Sequence, residues 1–168
     1  RDRLRSRGLG DVYKRQVFTF TADQERAHAK VFYNLLEQVS GQNLQVDGTY
    51  PVELFPDILD HLRSAQHNEY QEWDHDYAGF SRTAQEEGFP EIAHIFSMIA
   101  GIEKTHGDRF GKFAELLEQD KLFVSDVQVK WMCLNCGQII DATMAPAVCP
   151  VCKHPQGYFI RWEMAPFE

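Results

Sequence analysis

The sequence predicts a mainly α chain, a helical bundle followed by a small β module. Three observations carry this. Three long segments place apolar residues at steps of three and four; all four cysteines lie between positions 133 and 152; and after about residue 128 the residue types turn to β-branched, aromatic, Gly and Pro. With 168 residues and 43% apolar composition the chain can bury a real core and still carry a small second module.

The elements follow in order. Residues 1–16 (RDRLRSRGLGDVYKRQ) hold six Lys or Arg, two Asp, no Glu and little apolar periodicity, and are expected to be a foreign or unstructured segment. A first helix is expected over about 17–40, with the row Phe18, Thr21, Glu25, His28, Phe32, Leu35 and Val39. It ends near Ser40-Gly41, and the connection beyond, with Gly48 and Pro51, is long enough for a crossover. A second helix is expected over about 54–86, with the row Ile58, Leu62, Ala65, Glu69, Glu72, Asp76 and Phe80, stopping at Gly88. Pro90 suits the first turn of a third helix, over about 90–118, whose row is Ile92, Phe96, Ile99, Glu103, His106, Phe110, Phe113 and Leu117. Gly101, Gly107 and Gly111 are points where that helix allows close packing. Residues 17–118 thus form the helical domain, 119–128 a linker and 129–168 the β module.

Each apolar row is broken in its middle by ionisable residues: Glu25 with His28, Glu69 with Glu72, and Glu103 with His106. One Glu and His three apart on a helix is ordinarily a solvated surface pair worth a few tenths of a kcal/mol, roughly. Three pairs, each in phase with its own apolar row, are different, because an unpaired carboxylate in an apolar interior costs several kcal/mol, roughly, and needs a partner. Lys and Arg fall off these rows. A pair of metal ions bridged by carboxylates neutralises four Glu and gives both imidazoles a role, the logic of carboxylate-bridged di-iron bundles. His61, His67, His75, His94 and His154 lack partners in phase, and His75, between Asp74 and Asp76, reads as solvated.

The cysteines form two CxxC pairs, Cys133 with Cys136 and Cys149 with Cys152, twelve residues apart. Two such pairs close the tetrahedral shell of one ion. Disulfides fit poorly, since no secretory signal accompanies the cysteines. Thiolate softness leaves zinc and iron both open.

Charge and hydropathy exclude other classes. The chain carries a net charge of -8; residues 1–16 contribute +4, so the remainder stands at -12, and no basic face is available for phosphate contact. There is no run of eighteen apolar residues, hence no expected membrane span, and no apolar stretch typical of a signal peptide, so a cytoplasmic location is expected.

CLNCG (133–137) and CPVCKHPQGYF (149–159), with Trp131 before the first pair, resemble a rubredoxin-like domain, and HLRSAQHNEYQEWDHDY (61–77), EEGFPEIAHIF (86–96) and IEKTH (102–106) resemble rubrerythrin. The resemblance covers residues 17 to about 168. It implies a ferritin-like di-iron bundle followed by a rubredoxin-like domain with one iron on Cys133, Cys136, Cys149 and Cys152. The implied di-iron ligands are Glu25, His28, Glu69, Glu72, Glu103 and His106, with Tyr77 beside the metals. Asn68, Tyr70 and Asp76 depart from the family pattern without removing a ligand. Members of the family begin with another helix that adds a further Glu ligand, so the resemblance implies an N-terminally truncated chain, impaired as written.

The activity implied is that of a non-haem peroxidase reducing hydrogen peroxide to water in oxidative stress defence. Electrons would pass through the rubredoxin-like site from a reductase or small redox protein, in a homodimer. Two alternatives remain at this level: a ferritin-like protein that oxidises and handles iron, for which a tethered electron-transfer module is superfluous, and a non-catalytic module with zinc on the cysteines.

Overall fold

The structure, a computed structural model, describes residues 11–50 and 52–165. For residues 1–10 the expectation of a foreign or unstructured stretch lies outside the described residues. The first helix, α1 (Asp11–Asn34), starts six residues before the expected position 17. No Gly or Pro interrupts 11–34, and a helix once nucleated propagates cheaply through such residues. Its end comes earlier than expected. Leu35 and Leu36 already bond back three residues, to Phe32 and Tyr33, a short tight turn covers Glu37–Val39, and Gly41 takes φ +83°.

The second helical stretch begins at Ile58 rather than near 54, because Pro56 resists helix and Asp57 caps the turn, its carboxylate accepting from the Leu59 N–H at 2.8 Å. It runs as α2 (Ile58–Gln71), a π-helical turn (Glu72–Asp76) and α3 (Tyr77–Glu86). The π turn was not expected, and it alters the packing face. One extra residue rotates everything after it by about 100°. The buried row therefore continues through Tyr77, Ser81 and Ala84, one place later than the expected Asp76 and Phe80; Phe80 is 51% exposed. Ser81 donates to the Ala93 carbonyl at 2.8 Å, fixing α3 against α4 (Pro90–Glu118). Gly88, at φ +85°, closes α3 in a left-handed turn that side chains disfavour, with Phe89 N–H on the Ala84 carbonyl.

Residues 20–112 make up one compact unit, and the C-terminal module belongs to a second that begins again at Phe113. Within the first, Leu62, Ala84, Ala93, Ile99, Ala100 and Phe110 are buried, and the rings of Phe32 and Phe96 stack 5.1 Å apart between α1 and α4. The connection between α1 and α2 has no regular structure where it is described and leaves Leu44, Val46, Tyr50, Val52 and Leu54 exposed.

The C-terminal module is a three-stranded antiparallel sheet in the order β2-β1-β3, from β1 (Val124–Cys133), β2 (Ile139–Met144) and β3 (Phe159–Arg161). β1 starts inside the expected linker. Val124, Val127 and Val129 favour extended backbone, and an irregularity between Val124 and Val129 absorbs the change of register. Trp131, Cys133, Ala145, Cys149 and Phe159 form its core. None of the described helices is long and apolar enough to cross a membrane.

Candidate metal centres

The cysteine site is built locally. Each CxxC pair is a turn closed by a backbone bond, Gly137 N–H to the Cys133 carbonyl at 2.8 Å and Lys153 N–H to the Cys149 carbonyl at 3.0 Å. Gly137 and Lys153 hold the same left-handed place in the two turns, at φ +76° and +61°. The turns bring the Sγ atoms of Cys133 and Cys152 to 3.6 Å and those of Cys136 and Cys149 to 3.7 Å, with all four within 4.8 Å of one another. A disulfide needs about 2.0 Å between sulfurs, whereas a tetrahedron with metal–sulfur bonds of about 2.3 Å has edges of about 3.8 Å. The site fits one ion. Burial pushes the Cys133 thiol up to about 12, while the His154 N–H holds Cys152 as thiolate, down to about 5. A metal ion is the cation that lets buried sulfurs ionise together. His154 accordingly serves this site through its backbone; its ring faces the Cys152 carbonyl at 3.2 Å and Tyr158.

The second site is assembled from three helices. α1 supplies Glu25 and His28, α2 supplies Glu69, and α4 supplies Glu103 and His106, the last two with 0% exposure. Carboxylate oxygens of Glu25, Glu103 and Glu69 converge on His106 Nδ1 at 2.7, 2.9 and 3.3 Å. His28 Nδ1 lies 3.1 Å from Glu103 and 3.2 Å from Glu25. The rings of His28 and His106 stack 5.6 Å apart.

One ring N–H cannot serve three carboxylates. The contacts to His106 are at ion-pair distance but none is oriented as a hydrogen bond, and both Glu103 oxygens, Glu25 Oε1, Glu69 Oε2 and both His106 nitrogens are buried without a hydrogen-bond partner among the described residues. Orphaned donors converging in this way fit a metal cluster, because buried polar atoms are otherwise satisfied. Electrostatics agree. Burial disfavours charge on His106, yet Glu103, Glu25 and Glu69 outweigh it and push its pKa up to about 11. A field that holds a proton so firmly favours any cation there. For Glu25 burial is likewise outweighed, by His106 and His28, and its pKa falls.

Glu72 sits in the π turn, half-buried; burial together with Glu103 and Glu69 pushes it up to about 7. Tyr77 stacks on Phe32 at 5.8 Å, and burial, with Glu72 and Glu103 nearby, raises its pKa, so the phenol keeps its proton. Of the other histidines, His61 bonds to the Phe55 carbonyl at 2.9 Å and His75 pairs with Asp76 at the surface. One residue was missed. Arg109, expected to lie off the buried rows, is half-buried, donates to Thr21 Oγ1 at 2.8 Å, lies over the Phe20 ring and feels both Glu69 and Glu25. The signal available in the sequence was its position three residues beyond His106.

A helical carboxylate–histidine cluster followed by a four-cysteine ribbon defines a class of metalloprotein with two kinds of centre. The first family model, rubrerythrin, matches residues 3–114, and a second, the rubrerythrin rubredoxin-like domain, matches residues 131–160. The chain belongs to the rubrerythrin family. It is 43% identical over 155 residues to a rubrerythrin of Clostridium perfringens, covering 92% of this chain and 80% of that one. It is 39% identical to a rubrerythrin of Porphyromonas gingivalis, over 85% of this chain and 70% of that one. Among solved structures, mixed-valent nigerythrin shares the fold with a TM-score of 0.54 at 23% identity, covering 92% of this chain and 76% of that one. The four-cysteine group and the group of Glu25, Glu69, Glu103 and His106 fit a rubredoxin-like iron and a di-iron site.

Proposed function

We propose that the chain is a peroxidase that reduces hydrogen peroxide to two waters, consuming two electrons and two protons. Glu25, His28, Glu69, Glu72, Glu103 and His106 would hold the iron pair, and the four cysteines a single iron. When bound, the pair supplies both electrons to the substrate and the thiolate iron replaces them one at a time. The observation that carries this reading is the convergence of three carboxylates on a fully buried His106 in a chain that also carries the cysteine site.

The chain's own residues divide the remaining work. Glu103, fully buried with both oxygens facing imidazoles, fixes the spacing of the two histidines. Glu72, half-buried beside Glu103 and Glu69, would serve as a ligand, and the π turn gives its backbone an irregular seat. Tyr77, protonated throughout, offers a hydrogen-bond donor. Phe32, Phe96 and Tyr77 pack together, with Phe32 one turn beyond His28 on the same helix. The electron donor is a small redox protein or reductase, and the protein works in the cytoplasm as a homodimer.

The test is anaerobic. The full chain loaded with ferrous iron should consume peroxide in proportion to electrons from a reduced rubredoxin-type donor; Glu103→Gln should abolish this while sparing the cysteine-site spectrum. Iron uptake and storage without peroxide reduction would identify an iron-handling protein instead.

A further inference from the structure

Beside the carboxylate cluster lies an aromatic pair that the proposed chemistry does not use. Tyr70 follows Glu69 directly, and its ring rests on the backbone at Gly107, next to His106, so closely that a Cβ there would stand 2.5 Å from ring carbons Cδ1 and Cε1. The phenol donates to Asp108 Oδ1 at 2.7 Å, and the other Asp108 oxygen accepts from Lys104 Nζ at 2.8 Å. Trp73, which follows Glu72 directly, meets the Tyr70 ring edge-on, centroids 5.9 Å apart, with Lys104 Nζ 5.3 Å from its own ring centroid. Trp73 is 36% exposed. An indole at the surface therefore touches a phenol that is seated on the two segments bearing Glu69 and His106 and already bonded to a proton acceptor.

We propose that Tyr70 and Trp73 form a radical sink, a redox site distinct from both metal centres, that captures one-electron oxidants arising at the carboxylate cluster. The role rests on the peroxidase reading, because ferrous iron and peroxide together yield hydroxyl radical as a by-product. Hydroxyl radical takes one electron from Tyr70 and becomes hydroxide; the phenolic proton moves along the existing bond to Asp108, leaving a neutral phenoxyl radical. Where Trp73 is struck first, its radical takes an electron from Tyr70, whose phenol is the easier of the two to oxidise at neutral pH, and the indole regains its proton from solvent. A thiol in solution then returns the electron as it forms its own radical, and Asp108 returns the proton. Lys104 keeps Asp108 oriented as the acceptor.

Pulse radiolysis of the full chain with its iron already oxidised tests this without turnover. Azidyl radical oxidises tryptophan, and decay of the indole radical should be matched by a first-order rise of phenoxyl absorption whose rate is independent of protein concentration. Tyr70→Phe and Trp73→Phe should each remove the same kinetic phase, and Asp108→Asn should slow it. As a second readout, peroxide treatment of the ferrous protein should leave more oxidised Glu69 and His106 peptides in Tyr70→Phe than in the parent, by mass spectrometry. Wild-type phenoxyl yield and rate in both aromatic variants overturns the proposal and leaves Tyr70 a structural strut. The radiolysis result is independent of the peroxidase reading: a protein that shows the shared phase but consumes no peroxide keeps the sink and loses the proposed function.

Discussion

The two metal centres are built in opposite ways. The cysteine site is closed by residues at most nineteen apart, Cys133 to Cys152, on two turns whose backbone bonds set the thiolate directions. The carboxylate cluster draws Glu25 and His106, eighty-one positions apart, into contact at 2.7 Å through three helices. The first is specified by spacing alone and needs its ion to exist. The second is specified by helix packing, and its ion relieves a strain of like charges that the packing creates. Breaking each centre in turn should therefore have unequal effects.

The largest effect is expected from Cys149→Ser. Structural tetrathiolate binding is worth about 10–16 kcal/mol, so loss of one buried thiolate should release the ion and unfold the C-terminal module, seen as loss of visible absorption and of protease resistance beyond residue 124. The helical signal should persist. Glu103→Ala comes next. In the metal-free protein it leaves buried imidazoles without their shared carboxylate, costing about 3–5 kcal/mol by analogy with other broken buried pairs, and it should abolish iron binding at the cluster.

A pH titration sharpens the comparison, since folding raises Glu72 and His106 in the cluster from values below neutrality, and Cys133 in the cysteine site from an alkaline one. Glu72 is raised from 4.5 to about 7 and His106 from 6.5 to about 11. A raised group stabilises the fold below its unfolded pKa, and that contribution is lost as pH rises through the folded value. The metal-free protein should therefore lose stability as pH rises from about 5 through 7, where Glu72 gives up its proton, and continue to lose it through His106 toward about 11. Iron displaces those protons, so the stabilisation it confers should grow over the same range, measured as the gap between loaded and metal-free melting curves.

Smaller effects probe packing. Gly107→Ala gains about 1 kcal/mol of helix propensity but pushes the Tyr70 ring from its seat, at a cost of about 1–3 kcal/mol, so a net loss is expected in chemical denaturation. Lys153→Gly should change the cysteine module least. It relieves a left-handed backbone worth about 1 kcal/mol and gives part of that back in unfolded-state entropy.

The same contrast explains what was legible in the sequence. The CxxC pairs needed only counting, and the three Glu and His pairs showed themselves because a helix repeats every 3.6 residues. Phe80 misled for the converse reason: the π turn at Glu72–Asp76 adds a residue, and a fixed period carried past it points to the wrong face. Arg109 was passed over because a stripe assigns residues to a face by phase, whereas a long guanidinium reaches across from beside it to Thr21. The start of β1 at Val124 was hidden by a register irregularity that breaks the alternation of its first residues.

One chain thus carries two separate centres that fit iron, one local and one assembled. Iron stoichiometry of the anaerobically loaded full chain tests it most directly, with Glu103→Ala and Cys149→Ser measured beside the parent. The expectation is three iron per parent chain, one remaining in Glu103→Ala with its thiolate spectrum unchanged, and two in Cys149→Ser. A parent that binds a single iron, or a Glu103→Ala protein that loses all of it, would mean that the chain does not hold two separate iron centres.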